Sequence, residues 1–319
     1  ETLIHHGANV FLKMSRLQKT PLHLSADKGL GNTVKLLLKK GVQTAGRDRR
    51  GHIPLHCAAM NGYADIVKIL LKYDRSQINN RAFSNSKKVR KSSGIRGVTA
   101  LHYAARQGYI DVTDILLQEG AEINIKDSFG QTPLYIASNF GHLDVVQLLV
   151  SRGAKVNIAE NHGFTPLHVA VYRERTAVVN YLAETATVDA ADMYGKTPLH
   201  VACQRGYIDI VNILLAHSSN WRLGTFTDNT VLHYACRYGH VEITEEFTKR
   251  DINMLQVKNS KTWDRKQPIT EALIFRRKKV VEKLKSMGIQ MPYELPDEPV
   301  LSRQTIFDDL LKQLQLLFR

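Results

Sequence analysis

One short phrase returns seven times along this chain at nearly constant spacing, and that recurrence limits the fold more than any other feature. Taking the residue that opens the phrase as a marker gives Thr20, Ile53, Thr99, Thr132, Thr165, Thr197 and Thr230, with steps of 33, 46, 33, 33, 32 and 33 residues. The clearest copy runs from Asp127 to Ile158. Thr132 supplies a capping hydroxyl, and Pro133 stands at the first helical position, where no N–H is needed. Leu134 and Ala137 share one face of the predicted helix, and Gly141 ends it. A second helix carries Val145, Val146, Leu148 and Leu149 on one stripe and stops at Gly153. Two such short helices cannot bury their apolar faces alone and need a copy on either side.

The copies read T-P-L-H at 20, I-P-L-H at 53, T-A-L-H at 99, T-P-L-Y at 132, T-P-L-H at 165 and 197, and T-V-L-H at 230. In period and signature the chain resembles the ankyrin-repeat family. That resemblance implies an all-α solenoid of stacked helix pairs with short β-hairpin fingers, and it leaves function open, because the fold serves many roles. A solenoid grows by adding neighbours, so 319 residues need no second core.

Residues 1–12 are expected to be the end of a truncated repeat: Leu3 to Asn9 resembles the close of a second helix and its Gly-Ala turn. The chain is therefore expected to begin inside a repeat, with targeting signals or catalytic domains outside it. Residues 13–291 form the array, interrupted near 80–97 by a polar insertion expected to be a mobile loop. Within it Lys87, Lys88, Arg90 and Lys91 fit a short nuclear-import pattern; a solvated insertion and contact with an acidic partner are the other readings. The repeat opened by Thr165 is the least regular, with Glu174 and Ala186 where other helix pairs keep glycine, and a local soft spot is expected there. A degenerate last repeat runs from Pro268 to Gly288 and carries a charged outer face suited to a terminal cap. Trp263, Asp264 and Pro268 to Glu271 resemble the ankyrin region of some transient-receptor-potential channels. Residues 292–319 read as a Pro-rich linker and an amphipathic C-terminal helix, which either seals the array or docks elsewhere.

Chemistry is scarce in this pattern. Six histidines, His23, His56, His102, His168, His200 and His233, recur at one place in successive repeats. Stacked helices put such rings about 10 Å apart, whereas Zn–N bonds are about 2 Å, so no metal site is expected. The family resemblance instead implies that each imidazole bonds the marker threonine and nearby backbone. No phosphate loop, H-E-x-x-H or G-x-S-x-G occurs, and the carboxylates show no local pairing pattern, so neither catalysis nor a cofactor is expected. Three cysteines without a C-x-x-C point to a reduced compartment, cytoplasm or nucleus. No apolar run approaches the roughly 18 residues needed to cross a bilayer, so direct membrane insertion is not expected.

The resemblance places partner contacts at the finger tips and the ends of the first helices. Carried over by position, these include Arg16, Lys19, Lys28, Arg49, Arg50, Arg96 and Arg106 in the first three repeats. The next four supply Phe129, Phe140, Phe164, Tyr172, Tyr194, Phe226 and Tyr238 among Arg173, Lys196, Arg205 and Arg237. Arginine and aromatic residues dominate binding hot spots. With 44 Lys+Arg against 30 Asp+Glu and a net charge of +14, the expected partner is an acidic segment of another protein. Nucleic acid, favoured by the same charge, is the alternative, as is service as the cytosolic arm of a larger channel or enzyme.

Overall fold

The marker residues open helices for the reason the sequence suggests. At Thr132 the hydroxyl accepts the Tyr135 N–H at 3.2 Å, and Pro133 fills the first helical position. The helix ends eight residues later at Gly141, whose φ of +81° is a left-handed conformation that side chains resist. There the chain reverses into a second helix.

The computed structural model describes residues 9–14, 16–83, 96–259 and 266–291. Eight helix pairs fill them: α1 (Pro21–Asp27) with α2 (Gly31–Lys39), α3 (Pro54–Met60) with α4 (Ala64–Tyr73), α5 (Ala100–Gln107) with α6 (Ile110–Gln118), and α7 (Pro133–Phe140) with α8 (Leu143–Ser151). The remainder are α9 (Pro166–Tyr172) with α10 (Thr176–Ala183), α11 (Pro198–Arg205) with α12 (Ile208–Ala216), α13 (Val231–Tyr238) with α14 (Val241–Arg250), and α15 (Pro268–Ile274) with α16 (Lys278–Ser286). Two compact units divide the chain, Glu1–Ala186 and Thr187–Arg319.

Within the first unit each first helix packs on the next, α1 on α3 through to α7 on α9, and the second helices α2 to α10 do the same. The second unit repeats the arrangement with α11, α13 and α15, and with α12, α14 and α16. Leucines two places after the marker, Leu55, Leu167, Leu199 and Leu232 among them, are fully buried. Small residues such as Ala58, Ala104, Ala137 and Ala235 stand beside them with no exposed surface, which lets adjacent helices approach closely. The second helices contribute Leu70, Leu116 and Leu149 to the interior of the first unit and Leu214 to that of the second.

Between helix pairs the chain forms fingers. Only one contains paired strands among the described residues: β1 (Ala82–Phe83) runs antiparallel to β2 (Arg96–Val98) at the base of the insertion. The other fingers are tighter than the expected hairpins, closed by pairs of backbone bonds such as Asp127 N–H to Gln131 O at 2.9 Å and Gly130 N–H to Asp127 O at 3.1 Å. Gly51 shows how close neighbouring fingers come, since a Cβ there would lie 2.0 Å from the Phe83 carbonyl oxygen. The import-pattern residues Lys87, Lys88, Arg90 and Lys91, Trp263 and Asp264, residues 1–8 and residues 292–319 lie outside the described residues.

Candidate protein-binding surface

Five places before four of the seven markers stands a carboxylate that shapes the tip. One oxygen of Asp48 accepts the N–H groups of Arg50 and His52 at 2.8 and 2.9 Å. Asp127 does the same for Phe129 and Gln131, Glu160 for His162 and Phe164, and Asp192 for Tyr194 and Lys196. The turn is thereby fixed, and the residues just before its glycine are pushed outward. These acids were legible as a column in the sequence at constant offset, yet none has another carboxylate beside it in the chain, and reading them as scattered charges misses their role. Burial pushes Asp127 up to about 6, and the Gln131 and Phe129 N–H groups only partly counter it. In the first unit Arg49 N–H donates to Leu17 O at 2.9 Å and Asn161 N–H to Phe129 O at 3.0 Å, so tip is bonded to tip. Phe226 N–H to Tyr194 O at 3.1 Å repeats the link in the second unit.

The recurring histidines hold the fingers from beneath. Thr20 N–H donates to His23 Nδ1 at 3.2 Å, and His23 Nε2 lies 3.0 Å from the carbonyl of His52, one repeat on. His56, His102, His200 and His233 reach Asn80, Gln131, Asn229 and Lys266 carbonyls in the same way, at 2.9 to 3.2 Å. An Nδ1 that accepts a backbone N–H leaves Nε2 as the donor, so the ring is neutral. Burial lowers His56 to about 3 and His102, His200 and His233 to about 4. Among the described residues no group of three or more His, Cys, Asp or Glu is arranged to hold a metal ion.

On this support the first unit presents its arginines and aromatics. Arg49 and Arg50 are exposed at their tip, Arg49 Nη1 lying 3.3 Å from the Arg16 carbonyl. Arg106 is exposed and its guanidinium sits 5.1 Å over the Phe140 ring, which keeps 38% of its surface in solvent. His142 lies parallel to that ring and bonds the Arg106 carbonyl at 2.9 Å, so Arg106 and Phe140 are held together. Phe164 is half-buried with Tyr172 edge-on at 6.4 Å. Arg173 covers Tyr172 at 5.7 Å and donates to Asn139 Oδ1 at 2.9 Å. Phe129 is half-buried at its tip, and Arg96 lies in β2.

In the second unit Met193, Tyr194 and Phe226 expose 49, 46 and 62% of their surface at two bonded tips. Arg205 is exposed with its guanidinium 5.8 Å from the Tyr207 ring. Tyr238 is half-buried and accepts from Gln204 Nε2 at 3.3 Å. Arg237 does not join this surface. Its guanidinium makes two bonds to Glu271, at 3.0 and 2.8 Å, and Glu271 is completely buried. The arginine expected to meet a partner instead neutralises a carboxylate of the last helix pair, because an unpaired buried charge costs several kcal/mol.

Comparison with family models gives ankyrin repeats in three-copy form over residues 1–82, 82–160, 101–192 and 157–224, and a single ankyrin repeat over 227–259. The chain belongs to the ankyrin-repeat family. Repeats of this family are generally protein–protein interaction modules and typically non-enzymatic. The pair α15 and α16 lies beyond the matched residues yet keeps the same construction, packed on α13 and α14 respectively. No curated protein matches the chain.

Proposed function

We propose that this ankyrin-repeat protein is a non-catalytic scaffold that captures an acidic, partly extended segment of another protein on the tips and first-helix ends of its first unit. The observation that carries this reading is the pairing of exposed Arg106 with Phe140, beside Arg173 stacked on Tyr172. A guanidinium held over a ring still has N–H groups to offer a carboxylate, while the ring offers apolar contact at small entropic cost. Arg49 and Arg50 extend the positive charge and steer an acidic chain toward the rings. The three cysteines are buried and unpaired, which supports action in the reducing cytoplasm or nucleus.

The test is binding of acidic peptides, with and without an aromatic or leucine residue, by fluorescence anisotropy. Phe140→Ala and Tyr172→Ala should each weaken the best peptide by about 2 kcal/mol, about 30-fold, with unchanged circular dichroism. Equal affinity in both variants refutes the surface. The sequence pI of 9.6 gives nucleic acid a specific claim. Micromolar binding of random single strands with a steep salt slope would favour that reading instead.

A further inference from the structure

On the second helices of the first two complete repeats, lysines recur at matching positions. Lys35 and Lys39 lie four apart on α2, and Lys68 and Lys72 occupy the corresponding places on α4, each 33 residues on. Residues four apart on a helix share a face about 6 Å from each other, and α2 packs beside α4 at a usual axial distance of about 8–10 Å. The four ammonium groups therefore form a two-by-two grid, which Lys40 extends at the end of α2. All five lysines are exposed, and none is in an ion pair among the described residues. Asp65, exposed in the first turn of α4, is the one carboxylate on these two helix faces, and Asp74 is engaged by Thr44 and Ser76. The grid stops sharply at α6, where the same two positions hold Asp114 and Gln118; in α8 they hold Gln147 and Ser151.

We infer that this face of α2 and α4 is a docking surface for an anionic phospholipid bilayer, separate from the tips assigned to a protein partner. The side chains decide the class of occupant. The grid contains lysine alone, which acts as a mobile point charge and lacks the planar fork that reads carboxylate or phosphodiester groups pairwise. No aromatic residue lies inside it to stack a base or anchor a protein side chain, as nucleic-acid and protein hot spots need. Tyr73 stands at its edge, 55% exposed, at the end of α4, an amphipathic ring suited to the headgroup layer. A flat cationic helix face meets a diffuse negative surface without needing a pocket. None of the described helices is long and apolar enough to cross a membrane, so the contact is peripheral.

Sedimentation of the full chain with vesicles of phosphatidylcholine containing phosphatidylserine, at about 0.1 M salt, tests this. Wild type should partition onto them and not onto pure phosphatidylcholine. Lys68→Ala/Lys72→Ala should lower the partition coefficient about 25-fold, about fivefold per lysine, and adding Lys35→Ala/Lys39→Ala should abolish it. Arg49→Ala/Arg50→Ala should leave vesicle binding within about twofold. The inference is overturned if wild type shows no preference for phosphatidylserine, or if the arginine pair matters as much as the lysine pair. It is also overturned if a random oligonucleotide binds more tightly than the vesicles with the same lysine dependence. Melting of each variant by circular dichroism separates lost binding from lost folding.

Discussion

The repeats opened by Thr132 and Thr165 are built from the same plan and finished differently. Both begin with a threonine and proline, both bury a leucine two places later, and both send a second helix into the interior. The first closes α7 with Gly141 at φ +81° and reaches Gly153 at φ +87° after α8. The second closes α9 with Glu174 at φ +56°, a left-handed residue carrying a full side chain. After α10 it has no left-handed residue; Ala186 N–H bonds Leu182 O at 2.7 Å. The boundary between the two compact units falls immediately after that turn, at Ala186 and Thr187. Interior packing is thus indifferent to the substitutions while the turns absorb them, so irregularity in a repeat array collects in its connections.

Acid is the strongest way to break the regular side of that comparison. An unfolded histidine titrates near 6.5, whereas burial lowers His102, His200 and His233 to about 4 and His56 to about 3. Between those values the unfolded chain binds more protons, so stability present above pH 6.5 is lost as pH falls toward 4. Each such ring contributes on the order of 3 kcal/mol to that loss. Thermal melts at pH 7, 6, 5 and 4 should show a steep fall, and a flat profile would mean that the rings are not held neutral.

Exchanging the closing residues sharpens the contrast. Glu174→Gly should stabilise the first unit by about 1 kcal/mol, and Gly141→Ala should destabilise it by about as much. Opposite shifts in melting temperature are the expected outcome; shifts of the same sign would remove turn strain as the difference. Smallest is the effect on local opening. Amides in 165–191 should exchange about fivefold faster than those in 132–158, and Glu174→Gly should narrow the gap. Equal protection in the parent chain would show that the irregular repeat is no softer.

Much of the array was legible because each repeat declares itself locally. A capping threonine, a proline and a period of 33 residues act through neighbouring atoms, so Thr132, Pro133 and Gly141 behave as their positions suggest. The replacements at Gln18 and Asp228 are legible in the same way, since both adopt φ between +55° and +59° where other fingers keep glycine. The carboxylate column at Asp48, Asp127, Glu160 and Asp192 was readable by offset but not by composition, because its partners are backbone amides that no sequence pattern displays.

The sequence by itself determined the helix pairs, their order and the identity of the residues at the tips, since these follow from short-range sterics and hydrogen bonding. Tertiary structure alone decided which charges remain for a partner. Arg106 rests on Phe140 and stays in solvent, while Arg237, at the same helical position of its own repeat, is drawn to buried Glu271. The two arginines are alike until a neighbouring helix pair is stacked beside them. What that neighbour presents, a partly exposed aromatic ring or a buried carboxylate, sets where each guanidinium has its lowest energy.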